Sequence, residues 1–151
     1  MISLRKRGDF FLRKAMKRLL IFFLAAAVAL AVLKLPKAPS FDERGTYTLY
    51  RYSASSLATE ERLKGNVIFD ARSVKGESVT YFGDAFLLSD VLEKYGATLL
   101  FSEEVGDVIC YYAYSPVLPY RATLYGKTVN LQIATENQRI TLGTPLIFGS
   151  F

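Results

Sequence analysis

The chain has 151 residues, 51% of them hydrophobic and 22% charged, with one cysteine, no histidine and a formal net charge of +5. That length leaves room for one domain at about 100–200 residues per domain. The lone Cys110 excludes an intrachain disulfide and a multi-cysteine metal site, and the lack of histidine removes the commonest metal ligand and general base. Residues 1–39 carry nine Lys/Arg and one acid, residues 40–151 ten bases and thirteen acids, so the basic pI near 9.3 belongs to the N-terminal segment. The mildly acidic remainder lacks the basic surface that a nucleic-acid binder needs to track phosphates.

Leu19 to Leu33 is an unbroken apolar run of fifteen residues, about 22 Å of helix against a hydrocarbon core of about 30 Å. Met16 and Leu35 lengthen it, and Lys17, Arg18 and Lys34 can snorkel toward headgroups. Residues 19–35 are therefore expected to form a single transmembrane anchor, with the lipid bilayer as partner. Arg5, Lys6, Arg7, Arg13, Lys14, Lys17 and Arg18 precede the run and only Lys34 and Lys37 follow closely. The positive-inside rule then places a basic tail, residues 1–18, in the cytoplasm and the C-terminal part outside. A cleaved signal peptide needs small residues just beyond the apolar region, yet the A-x-A triplets here lie inside the run. The prolines at 36 and 39 favour an extended spacer instead, so residues 36–45 read as a linker. A buried helix of a soluble protein would need cover on every face, because the run has no polar stripe.

Residues 46–151 are expected to form one extracytoplasmic domain. Thr46–Ser53 is rich in β-branched and aromatic residues and reads as a strand, and the polar ATEERLK stretch after it as a short helix. Asn66–Ala71 and Glu77–Phe82 read as an antiparallel hairpin turning at Lys75-Gly76. Asp84 is placed to cap a helix over Ala85–Tyr95, whose apolar residues Leu87, Leu88, Val91, Leu92 and Tyr95 share a face, with Gly96 as the left-handed stop. Thr98–Ser102 and Val108–Tyr114 suit two strands joined by a loop over Glu103–Asp107. From Arg121 the pattern is strand, a Tyr125-Gly126-Lys127 turn, then a strand in which Val129, Leu131 and Ile133 alternate with Thr128, Asn130, Gln132 and Ala134, one side buried and the other polar. Glu136-Asn137-Gln138 turns the chain into Ile140–Leu142. Six to eight strands and one clear helix predict an α+β fold, a mainly antiparallel sheet covered on one face by that helix.

TVNLQIA (128–134), followed by ITLGTPLI (140–147) and preceded by YAYSP (112–116), resembles the end of the YwmB-like proteins of endospore-forming Gram-positive bacteria. The likeness covers residues 95–151. It implies an α+β arrangement similar to TATA-box-binding-like domains, with no known active-site residues to carry over, and such a fold label by itself implies nothing about DNA binding.

Candidate chemistry is sparse. Cys110 lies mid-strand with no histidine to activate it and reads as a buried structural thiol. Glu103, Glu104 and Asp107 cluster where a hairpin tip is expected, a solvated loop unless they serve glycan cleavage or hold a cation. Tyr112 and Tyr114 share a strand face and could present a stacking platform to a glycan or peptide. Asn130 and Gln132 share another and could hydrogen-bond a ligand. These four are the candidate binding residues; no catalytic residue, metal ligand or cofactor is assigned, and no nucleic-acid partner. The expected function is that of a membrane-anchored, non-catalytic interaction module at the cell envelope, with an envelope protein or glycan as partner; the rival reading is an envelope glycan-acting enzyme using Glu103 or Asp107.

Overall fold

A computed structural model describes residues 3–32, 38–65, 69, 73–83 and 86–149. The chain divides into two compact units at Leu35 and Pro36. In the first, α1 runs unbroken over Ser3–Val32, through residues of good helix propensity. Its large apolar side chains from Met16 to Leu30 are exposed, Leu20 and Phe22 to 70%. Among the described residues no helix is long and apolar enough to cross a membrane, and the last part of the expected span, residues 33–35, lies outside them.

The second unit is built on a seven-stranded sheet in the order β2-β1-β3-β9-β8-β5-β4, with a separate β6-β7 hairpin. The strands are β1 (Thr46–Arg51), β2 (Thr59–Lys64), β3 (Val74–Phe82), β4 (Thr98–Val105), β5 (Val108–Tyr114), β6 (Ala122–Leu124), β7 (Lys127–Val129), β8 (Leu131–Glu136) and β9 (Arg139–Thr144), with α2 (Leu88–Lys94) between β3 and β4. Every strand pairing is antiparallel. The architecture is α+β, as the sequence predicts.

Register sorts the side chains, because paired residues point to the same side and the period is two. Leu63, Tyr47, Val79, Leu142, Ile133 and Tyr111 form one cross-strand row. This row, with Phe41, Ala113, Leu118, Leu131 and Ile140, packs against Val91 of α2 and Tyr95, which caps its C-terminus. A smaller cluster of Leu49, Phe69 and Val74 extends the same side, closed by Leu63 and Tyr120.

Several local expectations give way to pairing. ATEERLK does not form a helix; it supplies edge strand β2. The Arg51 guanidinium on β1 grips Glu61 at 2.5 Å, Leu63 packs on the core, and an alternation of charged and apolar groups at a sheet edge outweighs the helix propensity of Glu, Arg and Lys. Lys75 and Gly76 lie inside β3 instead of in a turn. A Cβ on Gly76 would sit 2.9 Å from the Thr144 carbonyl oxygen, so the glycine is there for close backbone approach. The partners of β3 are β1 and β9; of the expected strand 66–71 only Phe69 is described. Helix α2 begins later than expected, after Leu87, which makes no side-chain cap; the expected cap Asp84 lies outside the described residues. Gly96 does take the left-handed conformation, φ +54°. Glu103, Glu104 and Val105 extend β4, leaving a two-residue Gly106-Asp107 turn between Val105 and its partner Val108. Likewise Lys127 opens β7, and Tyr125-Gly126 alone make the turn, both at positive φ, as a type I′ hairpin requires.

Residues 40–43, within the expected linker, are bound into this unit. Phe41 is 2% exposed, and the Tyr47 hydroxyl donates to the Phe41 and Glu43 carbonyls at 2.7 and 2.8 Å. Lys94 of α2 holds Asp42 at 2.5 Å and Glu43 at 2.7 Å, and this ammonium keeps the Asp42 carboxyl below its usual range.

Candidate functional site

The sheet face away from α2 carries the alternate residues of every strand. One row crosses all seven strands as Arg62, Thr48, Ser78, Gly143, Gln132, Tyr112 and Phe101. Beside it run Lys64, Thr46, Thr80, Thr141, Ala134, Cys110 and Glu103. Each row changes chemistry along its length, from hydroxyl and cationic groups over β2, β1, β3 and β9 to sulfur, aromatic and acid over β5 and β4.

The hydroxyl end is a groove of about 270 Å³, floored by Thr46, Thr48, Tyr50, Ser78, Thr80 and Thr141, with Glu60, Arg62 and Arg139 around it. Its wall is the C-terminal segment, Ile147–Gly149. That segment comes close because residue 143 has no side chain: a Cβ there would lie 2.5 Å from Cγ1 of Ile147. The Ile147 N–H donates to Gln132 Oε1 at 2.9 Å, and the Phe148 ring stands edge-on to Tyr50 at 5.1 Å. On the floor, Thr80 and Thr141 hydroxyls share a hydrogen bond of 3.0 Å, as do Tyr50 and Ser78. Burial raises the Tyr50 hydroxyl above its ordinary pKa. Arg62 reaches Glu60 at 3.5 Å and Arg139 reaches Glu136 at 2.5 Å.

At the aromatic end Tyr112 lies flat on Phe101, ring centres 4.6 Å apart, and its hydroxyl donates to Glu103 at 3.3 Å. Burial, with Cys110 and Glu103 beside it, pushes that hydroxyl's pKa upward. Tyr125 meets Phe101 edge-on at 5.6 Å, and the Lys127 ammonium sits over the same ring. Tyr114 is separate: Arg121 lies over its ring at 5.7 Å, and it lines a shallow depression with Thr98, Leu100, Arg121, Lys127 and Thr128. The two tyrosines expected to form one platform thus have different neighbours, each already stacked.

Asn130 and Gln132, expected on a solvated strand face, are 0% and 5% exposed, and their polar atoms are engaged internally. Asn130 stands between β7 and β8. Its Oδ1 accepts from the Ser115 N–H at 2.6 Å, and its Nδ2 donates to the Ser115 and Leu118 carbonyls at 2.6 and 3.1 Å. The side chain staples the Ser-Pro turn to the core. Gln132 lies under Ile147, and its Nε2 donates to Cys110 Sγ at 3.7 Å. The polar side of β8 is covered because the C-terminal segment folds back over it, which alternation along one strand does not reveal.

Cys110 is 3% exposed, and burial first, then the charge of Glu103, raises its thiol pKa above the ordinary value, the environment of an inert thiol. Among the described residues no group of three or more His, Cys, Asp or Glu is arranged to hold a metal ion. The acid that sequence reasoning passed over is Glu77. It is 1% exposed in β3, one carboxylate oxygen accepts the Ser40 N–H, and among the described residues Oε2 has no partner, nor has Oγ1 of its cross-strand neighbour Thr144. Desolvation holds its pKa above the ordinary carboxylate value. Its one early signal is parity: Glu77 has the same strand phase as Val79, an apolar position.

No family model, curated protein or solved structure matches the chain.

Proposed function

We propose that the chain is a single-pass membrane protein whose residues 19–35 anchor it in the bilayer, with residues 1–18 in the cytoplasm and the α+β domain outside. In this reading the domain is a non-catalytic interaction module of a bacterial cell envelope, of the YwmB-like kind and tied to sporulation. The observation that carries it is the asymmetry of the chain. Ten of the fifteen residues from Leu19 to Leu33 are Leu, Ile, Phe or Val, which at about −0.3 to −0.6 kcal/mol each near a bilayer centre gives roughly −3 to −6 kcal/mol toward insertion. Their side chains through Leu30 find no cover in the first unit, while the second unit closes its own core without them. A folded domain with a hydroxyl-lined groove on such a tether suits capture of an envelope component better than turnover, since its one thiol is buried with its pKa raised.

Protease added outside intact protoplasts tests the topology. Digestion of the domain is expected; full protection, with digestion after lysis, would overturn the reading. A Glu103→Gln/Asp107→Asn variant should keep wild-type envelope function, and loss of function in a folded protein would favour the glycan-acting enzyme.

A further inference from the structure

The groove beside the C-terminal segment assigns a ligand class. We infer that it binds a sugar residue bearing one acidic group, such as a uronic acid unit of a glycan. The inference deepens the reading of the domain as an envelope-binding module by naming the chemistry of what is bound.

The floor is the first ground. Thr46, Thr48 and Thr80 are half-buried and open to the groove. Hydroxyls both donate and accept, and in the Thr80–Thr141 pair one O–H proton and several lone pairs remain unspent after their mutual bond. Such a surface matches a polyol, whose groups are also of mixed donor and acceptor character. A phosphate, with one or two O–H groups among four oxygens near neutral pH, is mainly an acceptor, and a peptide backbone demands a spaced, directional set. The second ground is the wall: Ile147 and Phe148 provide apolar surface against a polar floor, and a sugar ring has the same division between its C–H face and its hydroxyl edge. Donor geometry is the third. Arg62 and Arg139 stand on opposite sides of the floor, on β2 and β9, each beside one carboxylate, Glu60 at 3.5 Å and Glu136 at 2.5 Å; a guanidinium carries five N–H donors, so each fork keeps donors that suit a ligand carboxylate. Size is the fourth. At about 270 Å³ the groove falls just below the ~300 Å³ at which pockets for larger ligands begin, the scale of one sugar residue.

The test is a ¹⁵N NMR titration of the full chain in detergent micelles with trigalacturonate, with maltotriose and inorganic phosphate as controls. Trigalacturonate should move the amides of Thr48, Thr80, Thr141 and Phe148 saturably, at least tenfold more tightly than maltotriose or phosphate. Thr80→Val/Thr141→Val and Arg62→Gln/Arg139→Gln should each weaken it at least tenfold with amide spectra unchanged outside the groove, which separates lost binding from misfolding, while Thr80→Ser/Thr141→Ser, which keeps the hydroxyls, should bind within about twofold of wild type. Equal binding of maltotriose, preference for phosphate, shifts centred on Tyr112 and Tyr114, or no saturation would each overturn the inference. Because this titration is independent of the protease experiment, failure of the ligand class and failure of the membrane topology are read separately.

Discussion

The two faces of the seven-stranded sheet are made by the same strands and finish as chemical opposites. Toward α2 the row through Tyr47, Val79, Leu142 and Ile133 is apolar and closed; away from it the row through Thr48 and Ser78 is hydroxylated and partly open. Each face also holds groups of the other kind. Glu77 sits on the closed face among apolar neighbours, and Ile147 of the C-terminal segment lies on the open face over Gly143. The contrast teaches that alternation divides side chains into two sets, while the segments that fold over each set decide which is core.

The strongest blow to the closed face is Leu142→Ala. Leu142 is 0% exposed, and a cavity in a site so enclosed should cost about 2–5 kcal/mol, read as a lower urea midpoint with unchanged slope. An unchanged midpoint would mean that the core row does not carry the fold.

Next is Asn130→Ala, at the end of the domain where the Ser-Pro turn is stapled. It leaves the Ser115 N–H and the Ser115 and Leu118 carbonyls without their partner, and buried groups of this kind cost about 1–3 kcal/mol each when unmet, less where the turn relaxes to admit water. Hydrogen exchange at the Ser115 amide should rise with the loss of stability; if it does not, Asn130 is available for a ligand after all.

Gly143→Ala tests the cover on the open face. The new Cβ would meet Ile147 Cγ1 at 2.5 Å, a clash with both side chain and backbone of the C-terminal segment. About 1–3 kcal/mol is expected, with exchange protection lost first at Ile147.

The subtlest test concerns Glu77 and pH. Its folded pKa is raised by desolvation above the ordinary carboxylate value of about 4.5, so the folded state holds this proton more tightly than the unfolded chain. Its contribution is therefore fully present below about pH 4.5 and is lost as pH rises through the folded value. Asp42, lowered by Lys94, slopes the other way, being lost as pH falls below its ordinary value. The wild-type minus Glu77→Gln difference isolates the first: wild type should lose stability relative to the variant as pH rises from 4 to 8. A flat difference would show that the carboxyl ionises without cost, by admitting water or an ion to Oε2.

How much of this was legible beforehand depends on range. The Gly96 stop, the Tyr125-Gly126 turn, the helix face of Val91 and Tyr95, and the alternation of Leu131 and Ile133 are encoded within a few residues of themselves, and the sequence determines them through φ preferences and hydrophobic period. So is the division of the chain into a basic, apolar N-terminal part and a mildly acidic, β-rich remainder. Four things were decided only by tertiary structure. ATEERLK became a strand because β1 offered it a partner; Glu77 became buried because residues 40–41 close over β3; Gln132 lost its solvent because Ile147 folds back on it; and Thr46, Thr80 and Thr141, far apart in the chain, became one groove floor. Each depends on pairing or cover from a segment distant in sequence, and no local propensity carries the register of a partner strand.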